Sequence, residues 1–132
     1  MRISNETKSL ALTTDAKFAT SFFSRLLGLM LSHKRDLVLV SPKEDVVSST
    51  IHMAFMRYSI DVIWADAEKK VVEVMHGVPP FSLLKPATWK TYAPKKPAKY
   101  VIELGKGKAG NTEIGDEIRF LGAGAEALHE AP

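Results

Sequence analysis

Six short stretches of the 132-residue chain carry the alternating or continuous apolar pattern that is typical of β-strands. They are residues 10–12, 37–40, 60–64, 71–75, 100–104 and 117–120. A seventh stretch, residues 50–56, places Ile51, Met53 and Phe55 on one predicted face and so also indicates a strand. The short polar segment 66–69 separates two of these stretches, and this spacing predicts a β-hairpin.

One segment has the periodicity of a helix instead. Its apolar residues recur at spacings of three and four: Phe18, Phe22, Leu26 and Leu29. Residues 13–15 are of the types that favour helix N-caps, and Gly28 stands where a left-handed C-cap would end the helix. The pattern predicts one amphipathic helix over residues 15–27.

These elements predict a mainly β fold: a single-domain β-sandwich or partly closed barrel of six or seven short strands with one N-terminal helix. The length suits one domain, which we assign to residues 10–121. Residues 1–9 are then an N-terminal extension, and residues 122–132 a flexible C-terminal tail. Residues 81–98 contain three prolines and predict a long irregular connection, which leaves open whether they act as a lid.

The composition bears on three questions: whether the chain has disulfides or metal sites, whether it spans a membrane, and in which compartment it is expected. The chain has no cysteine, which excludes disulfides and thiolate metal sites, and its four histidines are scattered, so we predict neither a metal site nor a cofactor. No apolar run approaches the roughly 20 residues that a membrane-spanning helix needs. The polar residues 1–8 lack the apolar core of a signal peptide. We therefore expect a cytoplasmic protein with no membrane partner.

The charge is distributed unevenly around a net value of +3. The segment from Lys85 to Lys108 holds seven lysines against one glutamate, whereas residues 111–132 are net acidic. The plainer interpretation is two solvated patches that neutralise each other; the alternative is a surface that steers an anionic partner. Trp89 and Tyr92 lie among the lysines, as stacking residues do in nucleic-acid surfaces. Because the segment has no arginine and no recognised fingerprint, nucleic-acid binding is the least favoured function.

An ordered set of motifs resembles the family known as domain of unknown function 192. The motifs are Arg25 with Gly28-Leu29-Met30; His52-Met53-Ala54-Phe55-Met56-Arg57 with Ile60-Asp61-Val62-Ile63; Tyr100-Val101-Ile102-Glu103-Leu104-Gly105; and Ile114-Gly115-Asp116. They cover about residues 10–120. The resemblance implies a compact, mostly β, sandwich-like domain and no established biochemical activity. The chain departs from the family pattern at residues 106–108, which puts a shared role for this turn in doubt.

The central motif also holds the candidate site, which consists of His52, Met56, Arg57 and Asp61. Charged groups are costly to bury without a partner, and His52, Arg57 and Asp61 lie among Met, Ile and aromatic residues in the sequence. If the chain bends after Met56, Arg57 could clamp a carboxylate or phosphate, His52 could transfer a proton, and Asp61 could orient one of them. The competing structural interpretation is a buried ion pair between Arg57 and Asp61 that fixes the bend.

The sequence therefore leaves three functions open. The leading hypothesis is a small non-enzymatic domain that binds a small anionic ligand or a partner at His52, Met56, Arg57 and Asp61. The second is a hydrolase or isomerase that uses His52 with Asp61. The third is nucleic-acid binding through the basic segment. The sequence does not indicate an oligomeric state.

Overall fold

The computed structural model describes residues 1–19, 36–53, 58–80, 82–88 and 90–122. Within these ranges the chain forms strands and one short 3-10 helix, Pro86–Thr88. The strands are β1 Arg2–Asn5, β2 Leu10–Thr13, β3 Ala16–Ala19, β4 Asp36–Asp45, β5 Ile51–His52, β6 Ile60–Ala65, β7 Val71–Val78, β8 Thr91–Tyr92, β9 Ala98–Gly105 and β10 Ile118–Leu121. The prediction of a mainly β fold is confirmed.

The largest sheet has five strands in the order β3-β4-β9-β6-β7. β3 runs parallel to β4, and the other neighbours are antiparallel. β9 occupies the centre, and its residues are buried on both sides of the sheet. Tyr100, Ile102 and Leu104 pack into one buried cluster, whereas Val101, which points the other way, packs into a second.

The first cluster joins the five-stranded sheet to a three-stranded sheet of order β10-β1-β2. Ile3, Leu12 and Phe120 from the smaller sheet are buried in it, and the Phe120 ring lies 5.2 Å from the Tyr100 ring, centroid to centroid. β1 pairs with both β2 and β10, so the segment assigned by sequence to an N-terminal extension supplies the middle strand of this sheet.

The second cluster lies on the opposite face of the five-stranded sheet. Trp64 is fully buried there, and its indole N–H donates to the Ser49 carbonyl at 2.8 Å. Ile51 of β5 and Tyr92 of β8, which pair as a two-stranded sheet, pack against the same face. This face therefore carries the strand that begins the central motif, at Ile51–His52.

The predicted helix over residues 15–27 is wrong where the structure describes it, because Ala16–Ala19 forms β3. The expected cap residues have other partners: the Thr13 hydroxyl donates to the Asp36 carboxylate at 2.5 Å and accepts from the Asp15 N–H. The segment is a strand because it pairs in parallel with β4 from Ala16 to Ala19. Residues 20–27 lie outside the described residues.

Other boundaries differ from the sequence prediction in smaller ways. β4 continues beyond the predicted stretch 37–40 as far as Asp45, and β7 continues beyond the predicted stretch 71–75 to Val78. The hairpin between β6 and β7 is confirmed. The barrel alternative is wrong, since none of the described sheets closes on itself; the sandwich stays a prediction. No helix in the described ranges is both long and apolar enough to cross a bilayer.

Candidate functional site

β9 ends in a turn formed by residues 105–110, which we call the lysine turn because Lys106 and Lys108 lie in it. Two backbone hydrogen bonds close it: Lys108 N–H to the Gly105 carbonyl at 3.0 Å and Gly110 N–H to the Gly107 carbonyl at 3.2 Å. Gly107 has φ +91°, a conformation that L residues with a side chain rarely adopt. The glycines thus allow the tight course of the backbone.

Asp61, a residue of the sequence-predicted site, holds the lysine turn from the β6 side. One carboxylate oxygen accepts the N–H of Gly107 at 2.9 Å and that of Ala109 at 3.0 Å, and the other accepts the N–H of Gly77 at 2.9 Å. The residue is only 1% exposed. A buried carboxylate with three backbone donors is well satisfied, and here it joins the end of β7 to the end of β9.

Asp36 holds the same turn from the β4 side. One of its oxygens accepts the Gly105 N–H at 2.9 Å, and the other contacts the Lys108 ammonium at 2.6 Å. β4 and β6 are the two neighbours of β9, so the turn is fixed by a buried aspartate on either side of its strand. This arrangement gives Lys106 a rigid support.

A surface cleft of about 380 Å³ lies beside the lysine turn, lined by Tyr58, Ser59, Gly105 and Lys106. It forms where β6 begins and β9 ends, since Ile60 and Gly105 are register partners. Its volume falls within the range of small-ligand sites, about 300–1,000 Å³. The cleft also follows the central motif directly in the chain, because Tyr58 comes next after Arg57.

Lys106 and His76 supply the cationic groups at this end of the sheet. The Lys106 side chain crosses Gly77, where a Cβ would lie 3.6 Å from its Cε atom. Within the described part of the chain the Lys106 ammonium has no ion pair or hydrogen bond. His76 is 56% exposed, with Nδ1 3.8 Å from an Asp61 oxygen, and carries charge only when protonated. The sequence analysis placed Lys106 in the basic segment but assigned neither residue to the candidate site.

The structure brings only part of the predicted site into view. The backbone of His52 pairs with Thr91, but its side chain, like Met56 and Arg57, lies outside what is described. The neighbours of His52 pack in the second cluster, whereas the Asp61 carboxylate bonds to Ala109 of the first cluster. β5 and the Asp61 carboxylate therefore lie on opposite faces of the five-stranded sheet.

Two further acidic residues escaped the sequence analysis, the buried Glu103 and the half-buried Glu73. Glu103 is 1% exposed in β9, where its register partners are Leu37 of β4 and Val62 of β6. The sequence signal that was available is an acidic residue between Ile102 and Leu104 in a predicted strand. Glu73 has one buried oxygen with no hydrogen-bond partner. In the described ranges, no three histidine, aspartate or glutamate side chains lie together as a metal site would require.

Asp116 forms a separate polar cluster where residues 5–8 meet the turn that precedes β10. It accepts the Asn5 amide N–H and the Glu113 N–H, each at 2.9 Å, and contacts the Lys8 ammonium at 3.2 Å. Burial by itself would raise the pKa of Asp116, but the hydrogen bonds from Asn5, Glu113 and Lys8 outweigh burial and hold the pKa below its ordinary value. Hydrogen bonds to Asp116 and Glu113 in turn raise the pKa of Lys8.

The lysines of the basic segment do not form one uniform face. Lys99 is buried, Lys108 is paired with Asp36, and the Lys90 ammonium lies 5.2 Å from the centre of the Tyr92 ring. A nucleic-acid surface needs cations that follow one continuous groove. These three lysines have contacts within the protein instead.

Comparison with known proteins finds relatives along almost the whole chain. The family model of domain of unknown function 192 (DUF192), described as Uncharacterized ACR, matches residues 3–120. The UPF0127 protein PF1050 of Pyrococcus furiosus is 37% identical over 119 residues, which are 88% of this chain and 95% of that protein. A UPF0127 protein of Thermococcus sibiricus is 41% identical over 118 residues, 86% of this chain and 71% of that protein.

Solved structures are similar in fold. One is the crystal structure of a protein of unknown function from Novosphingobium aromaticivorans, with a TM-score of 0.71 and 14% identity, and the match covers 90% of this chain and 82% of that one. Similarity at this low identity concerns the fold alone. No specific function is established among these relatives.

Proposed function

This chain belongs to the DUF192 family, and we propose that it is a small binding domain that holds an anionic ligand in the cleft beside the lysine turn. The observation that carries the proposal is Lys106. The Lys106 ammonium has no ionic partner within the described residues. The residue itself lies on a turn whose backbone is fixed by two buried aspartates, and it lines a cleft of about 380 Å³. The fixed backbone of the turn needs no reordering when an anion binds, and the Lys106 ammonium has no ionic partner within the described residues to give up.

In this proposal Asp61 and Asp36 position the site without touching the ligand. Their carboxylates fix the backbone of residues 105–109, and the Lys106 backbone lies between the bonded residues Gly105 and Gly107. Ser59 contributes a hydroxyl to the cleft, and the exposed His76 precedes Gly77, the residue that the Lys106 side chain crosses. Cations combined with hydroxyl and backbone groups favour a carboxylate or phosphate.

Met56 and Arg57 stay in the proposal as further contacts from the central motif, because they directly precede the cleft residue Tyr58 in the chain. His52 is left out of the proposed site, because its neighbours Ile51 and Met53 pack against the other face of the sheet. A hydrolase or isomerase that pairs His52 with Asp61 is less well supported. The Asp61 carboxylate already accepts three backbone N–H groups, and β5 packs against the other face of the sheet.

The test is a titration of the isotope-labelled chain with inorganic phosphate and with succinate, followed by amide chemical shifts. We expect both anions to shift the signals of Ser59, Gly105 and Lys106. K106Q removes the cation but keeps the length of the stem, and it should weaken binding about tenfold, the value of one charge-assisted contact.

K17Q is the matched control, because Lys17 is an exposed lysine on β3 and loses the same charge. We expect K17Q to bind both anions as the wild type does. Equal affinity of K106Q and wild type, or anion-induced shifts confined to signals far from the cleft, would contradict the proposal.

A further inference from the structure

A second surface, far along the chain from the lysine turn, presents two leucines to solvent. Leu83 is 76% exposed and Leu84 is 92% exposed. They lie in residues 82–88, which we call the leucine turn. Single exposed apolar residues are common on proteins, but two adjacent leucines at these exposures form a protruding apolar point.

The leucine turn is held in shape by hydrogen bonds rather than left as a loose loop. The Thr88 hydroxyl accepts the Ser82 N–H at 2.8 Å and lies 2.8 Å from the Lys85 carbonyl, to which it can donate. The Lys85 N–H bonds to the Ser82 carbonyl at 3.1 Å, and the Thr88 N–H to the Lys85 carbonyl at 2.9 Å. Thr88 is buried while the leucines point away from the protein.

The charge around the leucine turn has one sign. No acidic residue occurs between Glu73 and Glu103. Exposed lysines follow the leucines in the chain, at Lys85, Lys95 and Lys96. Two other strongly exposed apolar residues have acidic neighbours in the chain: Val47 follows residues 44 and 45, and Ile114 follows residue 113. Phe18 and Leu121 are less exposed, at 37% and 40%, and each stands alone. Leu83 and Leu84 are thus an adjacent pair of strongly exposed leucines in a stretch of the chain without acidic residues.

We propose that the leucine turn docks on an anionic lipid surface, with Leu83 and Leu84 entering the boundary between headgroups and acyl chains and the lysines contacting the headgroups. Apolar side chains beside a basic patch are the two elements of reversible interfacial binding. Binding to nucleic acid would not bury the apolar surface of Leu83 and Leu84, because a phosphate backbone offers no apolar surface. The proposal concerns peripheral contact, and it replaces the sequence expectation that the protein has no membrane partner.

The first test is sedimentation of the full chain with vesicles of phosphatidylcholine and phosphatidylserine in equal parts, compared with vesicles of phosphatidylcholine alone. We expect the wild type to sediment with the anionic vesicles and to be released by salt. The double variant L83S/L84S should lose at least about tenfold in partitioning, since it removes two large apolar side chains. I114S, at a residue 61% exposed in an acidic turn, is the matched control and should sediment as the wild type does.

The second test uses the absence of cysteine from the chain. L84C and I114C each offer one thiol for an environment-sensitive nitrobenzoxadiazole label. We expect the label at position 84, but not at 114, to shift to the blue and brighten when anionic vesicles are added.

Three results would overturn the proposal. The wild type could stay in the supernatant with anionic vesicles, L83S/L84S could sediment as strongly as the wild type, or the label at position 84 could keep its aqueous spectrum. Retention of both wild type and L83S/L84S on heparin without vesicle binding would assign the lysines to a polyanion instead. Because Lys106 takes no part, these results are independent of the anion titration.

Discussion

Buried aspartates determine how the strands of this protein end. Asp36, Asp61 and Asp116 are each almost completely buried, and each accepts the backbone N–H of at least one turn residue. Such a carboxylate must keep all its donors, because a buried N–H that loses its acceptor costs about 1–3 kcal/mol. The aspartates are therefore expected to be sensitive to replacement even by an isosteric amide.

D61N tests this expectation at the residue with three backbone donors. The asparagine amide has one acceptor oxygen and turns an NH₂ group toward N–H donors, so at least one donor loses its partner. We expect the free energy of unfolding to fall by about 3 kcal/mol. The measurement is urea denaturation of the variant and the wild type at neutral pH.

D15N serves as the control for D61N. Asp15 is exposed, and its carboxylate makes no contact in the described part of the chain, so its unfolding free energy should stay within about 0.5 kcal/mol of the wild type. A D61N variant that is as stable as D15N would show that the three hydrogen bonds to Asp61 contribute little.

Asp61 could be identified from the sequence, whereas the partners of its carboxylate could not. An aspartate between Ile60 and Val62 is unusual in a buried strand, and this context indicates a residue with a specific role. Its donors, however, belong to residues 77, 107 and 109, which approach only after β6 pairs with β7 and β9. Lys106 and His76 were missed for the same reason: nothing local distinguishes them from any exposed lysine or histidine.

At the scale of elements, apolar pattern predicted the strands that are buried on one or both faces. β4, β6 and β9 have long apolar runs, and the sequence identifies all three. β1 has Ile3 as its single apolar residue, and it is a strand because it pairs with β2 and β10 on either side. β3 was misread as a helix because its short segment precedes apolar residues at helical spacing, while its pairing with β4 is not local.

The pairing pattern predicts which elements exchange their amide hydrogens last. β9 is bonded to β4 and β6 along most of its length, whereas β5 and β8 pair over two residues only. We expect Val101 and Ile102 amides to exchange only on global unfolding and the Thr91 amide to exchange through a smaller local opening. Amide exchange in increasing urea, followed by NMR, makes the comparison. Equal protection of Thr91 and Ile102 would contradict it.

At the scale of the whole molecule, the polar cluster at Asp116 joins the first strand to the turn that precedes β10. Asn5 belongs to the first strand, and its buried amide donates both to Asp116 and to the Thr112 hydroxyl. Lys8 adds ionic contacts to Glu113 and Asp116. β1 and β10 both contribute to the first apolar cluster, so acid that protonates Asp116 should weaken the entire fold.

The sign of that effect follows from the lowered pKa of Asp116. A carboxyl whose folded pKa lies below its unfolded value of about 4 adds stability above that pH, and the added stability is lost as the pH falls through the folded pKa. We therefore expect D116N to be less stable than the wild type at pH 6 and to lose less stability between about pH 4 and pH 2. Urea denaturation across this interval is the measurement.

D15N again provides the comparison, since it removes a carboxyl without buried contacts. It should follow the acid profile of the wild type. Parallel profiles for D116N and the wild type would mean that Asp116 titrates alike in the folded and unfolded states.

The two aspartates beside β9 have a further consequence, which concerns strand alignment. A strand that slips by two residues keeps every side chain on its original face, so the alternation of Tyr100, Ile102 and Leu104 would tolerate such a slip. The slip would carry the lysine turn about 7 Å along the sheet and remove its N–H groups from both carboxylates. The apolar core thus stabilises the packing of β9 but is compatible with more than one register. Asp36 and Asp61 select the observed register of β9 relative to β4 and β6.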